Sequence, residues 1–179
     1  MIEQIERVIF SEEQIAKRVQ ELGEMLSKEY ANKRPLVVGI LKGSIFFMAD
    51  LLKAMQIPLE IDFMTISSYG NKAKSSGEVK IVKDLDRTLE GRHLIIVEDV
   101  VDSGYTLSYL TKILKMRNPA SIKVCTLLDK VDCRKVEFKV DYVGFDCDNS
   151  FVVGYGLDYA EEFRNLKFIG ALKESYYKK

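Results

Sequence analysis

The spacing of apolar residues predicts that the chain alternates between helices and strands. Residues 11–14 have the form of a capping box, and apolar residues then recur at intervals of three or four, which predicts a helix to about Tyr30. An apolar run at 36–41 predicts a strand, and the stretch from Ile45 to about Met55 predicts a second helix.

The same alternation continues through the second half of the chain. A further helix is expected from Tyr105 to about Met116, and further strands are expected near 61–67, 94–97, 123–128, 141–145 and 151–154. Four consecutive aliphatic residues at 94–97 are typical of a strand buried on both faces of a parallel sheet. The order of elements predicts an α/β fold with a parallel twisted sheet flanked by helices. The separate N-terminal helix and the strand-rich end predict a small hood formed by the terminal segments.

The length of 179 residues predicts a single domain over 1–179. We expect its core at about 33–145, and its hood from the N-terminal segment and about 146–179. The segment SSYGNKAKSSGEVK at 67–80 is polar, which predicts a long exposed loop. Such loops in compact domains are often functional, so a mobile lid is expected at about 68–80.

Composition and charge restrict the class of partner. Lys+Arg and Asp+Glu both number 27, so the formal net charge is zero and nucleic acid is not expected as a partner. No run approaches the ~18 uninterrupted apolar residues of a membrane span, and the acidic N-terminus has no signal-peptide pattern. Three cysteines without C-x-x-C spacing are expected to be reduced thiols rather than a zinc site. We therefore expect a cytoplasmic protein without membrane contact.

The strongest candidate for chemistry is the stretch LIIVEDVVDSGYTL at 94–107. Two acids, Glu98 and Asp99, follow the predicted buried strand, and a small-residue turn at 102–106 leads into the predicted helix. Ligands of open parallel sheets bind beyond the carboxyl ends of the strands. Unpaired N–H groups at a helix N-terminus favour an anion, so the turn is predicted to hold a phosphate.

The acids cannot bind that phosphate, because like charges repel. They could bind sugar hydroxyls, hold Mg²⁺ or transfer a proton, and each taken singly could be a solvated charge near a helix start. Two other families are excluded. Residues 39–44 lack the spacing of a nucleotide-hydrolase phosphate loop, and the 81 residues after Glu98 (179 minus 98) are too few for a phosphoacceptor receiver domain.

Residues 94–107 resemble the phosphoribosyl-pyrophosphate (PRPP) signature of the type I phosphoribosyltransferases. The stretches GILKGS (39–44), ISSYG (66–70) and DNSFVVGYGLDYAEEFRNL (148–166) are similar to the hypoxanthine-guanine branch of that family. The resemblance implies Mg²⁺-dependent transfer of 5-phosphoribose from PRPP to N9 of hypoxanthine or guanine, in purine salvage. The products would be IMP or GMP and pyrophosphate. It also implies a homodimer or homotetramer.

The resemblance implies roles for the residues of the 98–106 stretch. Glu98 and Asp99 would hold the ribose hydroxyls with Mg²⁺ nearby, and Asp102 would be the catalytic base against purine N7. The 5-phosphate would be cradled by the segment from Asp102 onward, namely Ser103, Gly104, Tyr105 and Thr106.

The pyrophosphate and the lid involve other segments. Lys42 and Gly43 match the family's pyrophosphate loop, whose peptide is often cis, and Arg164 would reach the pyrophosphate. Ser68 and Tyr69 would begin the lid.

The purine site is implied in the C-terminal part of the chain. Lys130 would donate to the purine O6, Phe151 would stack on the base, and the Val152 backbone would read its edge. Asp158 would lie at the purine site and bind Mg²⁺, in part through water.

From the residues alone, several of these side chains could instead have ordinary structural roles. Lys130 could be a solvated charge at a strand end, and Phe151 could be a core residue. Arg164 could pair with Glu161 or Glu162. Two other functions also stay open: an RNA-binding regulator with this fold, which zero net charge disfavours, and a relative that prefers xanthine or another base.

Overall fold

The computed structural model describes residues 2–68 and 79–178. In chain order the elements are β1 (Ile5–Phe10), α1 (Glu12–Glu29), β2 (Leu36–Leu41), α2 (Ile45–Ala54), β3 (Glu60–Ser68), β4 (Val79–Lys83), β5 (His93–Val101), α3 (Tyr105–Lys115), β6 (Ser121–Asp129), β7 (Tyr142–Asp146), β8 (Val152–Val153), β9 (Ile169–Leu172) and α4 (Glu174–Tyr177), with 3-10 turns at Ile2–Gln4 and Val131–Cys133.

The main sheet has the strand order β4-β3-β2-β5-β6-β7. Neighbouring strands from β3 to β7 in that order pair in parallel, and β4 is antiparallel to β3 at the edge. Helices cover both faces, because α1 and α2 pack with Ile95 and Val97 in one apolar cluster, and α3 packs with Leu94 and Ile96 in another. The prediction of an α/β fold with a strand buried on both faces is confirmed.

The N-terminal helix also forms as predicted. The Ser11 hydroxyl accepts a hydrogen bond from the Gln14 backbone N–H at 3.3 Å, and the Gln14 side chain accepts one from the Ser11 N–H at 2.8 Å. This reciprocal pairing satisfies two of the free donors at the start of α1. The buried side chains of α1 then follow the predicted stripe, from Ile15 to Leu26.

The terminal segments form a second, antiparallel sheet with the order β1-β9-β8. Its register joins residues far apart in the chain, such as Ile5 with Leu172. Strands β1 and β9 were not among the sequence predictions, because a short strand whose partner is about 160 residues away has no local signature. The boundary between core and hood stays a prediction.

Two other boundaries differ from the predictions. Strand β5 does not end at Val97 but continues to Val101, because its β-branched residues pair onward with β6. The ends of the predicted loop belong to strands, because Ser67 and Ser68 lie in β3 and Val79 and Lys80 lie in β4. The rest of the predicted lid, 69–78, lies outside the described residues. No helix in the described ranges has the length and apolarity needed to cross a bilayer.

Candidate active site

The candidate site lies where the pairing between β5 and its neighbour β2 ends. Parallel pairing between β2 and β5 ends at Gly39 and Val97, whereas β5 stays paired with β6 up to Val101. A cleft therefore opens on the β2 side just where Glu98 begins. This cleft is a cavity of about 340 Å³. Its lining includes Lys42, Gly43, Ile66, Glu98, Asp99, Asp102, Ser103, Gly104, Thr106, Asp158 and Arg164.

One wall of the cavity is residues 98–106, which we call the junction. Gly104 has φ of +83° at the start of α3, a conformation that favours glycine. The turn is held from outside the cavity, because Arg134 Nη1 donates to the Asp102 carbonyl at 2.7 Å and the Lys135 N–H donates to the Ser103 carbonyl at 2.9 Å. With these carbonyls held, the first turn of α3 presents its free N–H groups at the cavity, as an anion requires.

The two adjacent acids of the junction have different environments. Asp99 Oδ1 accepts a hydrogen bond from the Val100 N–H at 2.8 Å. Burial raises the pKa of Glu98 well above its ordinary value, and the negative charge of Asp99 raises it further. A partly buried carboxyl beside a second carboxylate is the state expected where a cation or hydroxyl donors are the natural partners.

The loop after β2 closes against these acids. The Leu41–Lys42 peptide bond is cis, at the predicted pyrophosphate loop. Gly43 lies so close to Asp99 that a Cβ at this position would overlap the Asp99 carboxylate. The loop backbone and the acid pair therefore form one continuous floor of the cavity.

The opposite side of the cavity is lined by Asp158 and Arg164. They belong to residues 151–164, a segment that we call the C-terminal wall. Arg164 Nη2 pairs with Asp158 at 2.8 Å and contacts Glu161 at 3.4 Å, while Arg164 Nη1 donates to the Gly156 carbonyl at 2.7 Å. Lys42 Nζ, from the loop after β2, contacts Glu161 at 3.2 Å. Arg164 therefore pairs with Glu161, as one interpretation of the sequence expected. It also lines the cavity.

Three of the four predicted purine-site residues, Lys130, Phe151 and Val152, lie outside the cavity lining, whereas the fourth, Asp158, belongs to it. The Lys130 N–H donates to the Val101 carbonyl at 2.9 Å, and its ammonium donates to the Ser150 carbonyl at 2.7 Å. Lys130 is 8% exposed, so its reading as a solvated charge is wrong. Phe151 is 37% exposed, so its reading as a core residue is also wrong.

Val152 and Phe151 start the C-terminal wall next to this lysine. Val152 is buried and pairs with Ala171 in the small sheet. Phe151 stacks on Tyr177 with ring centroids 4.8 Å apart. A path of direct contacts thus runs from Val101, next to Asp102, through Lys130 to the residue preceding Phe151.

Three further predicted site residues are Tyr105, Ser68 and Tyr69. Tyr105 is partly exposed and is absent from the described lining, Ser68 is the last residue of β3, and Tyr69 lies outside the described residues. Among residues 2–68 and 79–178, no cluster of three or more His, Cys, Asp or Glu side chains could hold a metal. The predicted metal ligands Glu98, Asp99 and Asp158 thus do not form one closed site.

The sequence did not indicate the residues that support the two walls. Arg134 pairs with the buried Asp129 and holds the junction, and Lys135 holds it through its backbone. Gly104 leaves room for the Arg134 side chain, because a Cβ at position 104 would lie 2.8 Å from Arg134 Cδ. Of the supporting residues, the sequence indicated only Glu161, because a carboxylate three residues before Arg164 could pair with it.

Comparisons with known proteins agree on the family. A model of the phosphoribosyl transferase domain matches residues 8–160. A hypoxanthine-guanine phosphoribosyltransferase of Bacillus subtilis is 56% identical over 97% of this chain and 96% of that protein. The corresponding protein of Streptococcus pyogenes serotype M3 is 50% identical over the full length of both.

A solved structure extends the agreement from sequence to fold. The crystal structure of a hypoxanthine phosphoribosyltransferase from Staphylococcus aureus matches with a TM-score of 0.97 and 44% identity. The match covers 100% of this chain and 97% of that one. The chain therefore belongs to the phosphoribosyltransferase family, in its hypoxanthine-guanine branch.

Proposed function

We propose that this enzyme transfers 5-phosphoribose from PRPP to N9 of hypoxanthine or guanine, forming IMP or GMP and releasing pyrophosphate. The observation that carries this proposal is one cavity that combines a helix-start turn, an acid pair, the loop after β2 with Lys42 and Gly43, and an arginine from the C-terminal wall. These are separate parts for the 5-phosphate, the ribose and the pyrophosphate of a single substrate.

The junction accounts for the phosphoribosyl group. The free N–H groups of α3 and the hydroxyls of Ser103 and Thr106 would hold the 5-phosphate. Glu98 and Asp99 would accept hydrogen bonds from the ribose hydroxyls. Hydroxyl donors would stabilise the ionised form of Glu98, whose pKa is raised first by burial and then by the charge of Asp99.

The acid pair also fits Mg²⁺. Mg²⁺ prefers oxygen ligands and is usually held by one or two carboxylates together with substrate phosphates and water. Glu98 and Asp99 supply such a pair, and Asp158 supplies a third carboxylate on the opposite wall. When bound, Mg²⁺ stabilises negative charge on the leaving pyrophosphate.

Three side chains, Lys42, Arg164 and Asp102, would act on the bond-forming and bond-breaking step. Purine N9 forms a bond to C1 of the ribose while the C1–O bond breaks, and pyrophosphate leaves with that electron pair. Lys42 and Arg164, which both line the cavity and both contact Glu161, would bind the leaving group as charged donors. Asp102 would accept the proton from purine N7, a contribution of about 10²–10⁴ in rate.

The purine would lie between the junction and the start of the C-terminal wall. The Lys130 ammonium, which donates to the Ser150 carbonyl, would also donate to O6 of the purine. The exposed ring of Phe151 would stack on the base while the Val152 backbone reads its edge. A lid beginning at Ser68 and Tyr69 would exclude water from the cationic ribose, which otherwise hydrolyses.

The activity is tested with the purified protein, Mg²⁺, PRPP and one purine at a time, and nucleotide is followed by absorbance. We expect IMP from hypoxanthine and GMP from guanine. Absence of product from both bases would overturn the proposal. Competition with xanthine and adenine in the same assay measures the preference among bases.

The assembly and location are proposed on the family resemblance. A homodimer or homotetramer is expected, and sedimentation across a range of protein concentrations tests it, since a monomer throughout would contradict it. A cytoplasmic location is proposed as well. All three cysteines carry free thiols, as expected of a reducing compartment.

A further inference from the structure

The two cations assigned to pyrophosphate already share a carboxylate of the protein. Lys42 Nζ lies 3.2 Å from Glu161 Oε2, and Arg164 Nη2 lies 3.4 Å from Glu161 Oε1. The lysine comes from the loop after β2 and the arginine from the C-terminal wall. Each oxygen of one carboxylate thus faces a cation from a different side of the cavity, as two oxygens of a phosphate group would.

The backbone holds Glu161 in this position. Ala160 and Glu161 have φ of +52° and +66°, so the chain makes a tight left-handed turn. Tyr159 and Glu162 close the turn with mutual N–H to carbonyl bonds of 3.2 and 3.0 Å. The Glu161 N–H also donates to Asp158 Oδ2 at 2.9 Å. The glutamate is therefore presented to the two cations by the fold of the turn.

The bridge is charged but weakly held. Lys42 and Arg164 each donate a hydrogen bond to the Glu161 carboxylate, so the bridge joins two cations through one acid. The side chains of Lys42 and Glu161 are 67% and 66% exposed, and exposed ion pairs of this kind are easily broken. The pair between Arg164 and Asp158 is shorter, at 2.8 Å, and less exposed.

We propose that Glu161 is an internal competitor of pyrophosphate, which neutralises Lys42 and Arg164 in the empty site and is displaced when the pyrophosphate group binds. The inference rests on the proposed function. Glu161 keeps the two cations together before substrate arrives, and it pairs with them again when product leaves. Its presence therefore lowers the affinity for pyrophosphate and speeds release.

The test compares Glu161→Gln with Glu162→Gln. Both changes remove one negative charge from adjacent residues, but Glu162 accepts a hydrogen bond from the Tyr176 hydroxyl at 3.1 Å and touches neither cation. The dissociation constant of inorganic pyrophosphate is measured by calorimetry at fixed Mg²⁺ for both variants and the wild type. Thermal melting of each variant confirms that it is folded.

We expect Glu161→Gln to bind pyrophosphate about two- to tenfold more tightly than the wild type, the range for losing two exposed pairs. Pyrophosphate should inhibit turnover at correspondingly lower concentration, and the gain should shrink at high salt. Glu162→Gln should bind as the wild type does. Unchanged or weaker binding by Glu161→Gln, or an equal gain in both variants, would overturn the inference.

The same experiment separates this inference from the proposed function. A wild-type protein that forms nucleotide while Glu161→Gln binds pyrophosphate unchanged would remove the inference alone. A wild-type protein that forms no nucleotide and binds no PRPP would remove the proposed function as well.

Discussion

The two walls of the cavity are built differently. The junction lies between a buried strand and a helix, and hydrogen bonds from Arg134 and Lys135 fix its carbonyls. The C-terminal wall has little regular structure. It is shaped by residues with positive φ and by ion pairs near the surface. The comparison suggests that the junction supplies rigid, preorganised chemistry, whereas the C-terminal wall can adjust when substrate replaces its internal ion pairs.

The largest effect is expected from Asp102→Asn in the junction. The amide has the shape of the carboxyl group but cannot take a proton, so kcat should fall by about 10²–10⁴ while PRPP affinity changes little. Steady-state kinetics and PRPP calorimetry measure the two effects. Asp132→Asn, in the exposed 3-10 turn Val131–Cys133, is the matched control and should behave as wild type. Equal losses of turnover and PRPP binding would remove the role of Asp102 as a base.

Replacing both acids, as Glu98→Gln with Asp99→Asn, should act on binding. The ribose hydroxyls lose charged acceptors, and PRPP affinity should fall by about 10- to 100-fold because hydrogen bonds to charged groups are worth about 1.5–3 kcal/mol. Calorimetric titration with PRPP at fixed Mg²⁺ measures the change. If affinity held and turnover alone fell, the acids would have a chemical role and the division of labour within the junction would be wrong.

A smaller effect is expected in the C-terminal wall from Phe151→Leu. Loss of stacking should weaken GMP binding about tenfold and leave PRPP binding unchanged. Tyr109→Leu is the control, because Tyr109 is 39% exposed on α3, close to the 37% of Phe151. GMP titration followed by fluorescence or calorimetry distinguishes the two. Equal GMP affinity in both variants would show that Phe151 is not the purine platform.

The smallest effect is expected on the stability of the ligand-free protein. The folded-state pKa of Glu98 is raised by burial and by Asp99, so ionising it destabilises the fold as pH rises above its ordinary value of 4.5. Glu98→Gln removes this loss. The variant should melt like the wild type at pH 4 and at a higher temperature at pH 8, where 1 kcal/mol corresponds to roughly 2–4 °C. A lower melting temperature at pH 8 would contradict this assignment.

The contrast between the walls also explains what could be predicted from the sequence. The junction is contiguous, so Glu98, Asp99 and the turn at 102–106 could be placed together from a buried strand and a glycine turn. The same local signals predicted α1 from its capping box. The junction and α1 could be predicted because the interactions that form them join residues close in sequence.

Long-range contacts were not accessible in that way. Pairing of β1 with β9, the bridge between Lys42 and Glu161, and the support of Ser103 by Lys135 all join residues at least 30 positions apart. The left-handed backbone at Ala160 and Glu161 is another example, because neither residue type favours it. The resemblance to the family implied roles for residues far apart in the chain, but it did not predict which of them contact each other.

The hydrogen bonds from Arg134 and Lys135 bear on how this binding site could be engineered. Transplanting the nine residues 98–106 onto another parallel sheet would transfer the acids and hydroxyls without the donors that hold the Asp102 and Ser103 carbonyls. The recipient would also need space beside Gly104 for an arginine side chain. The smallest transferable unit is therefore the pair of segments 98–106 and 129–135, so a designer must move two strand ends with their connections as one module.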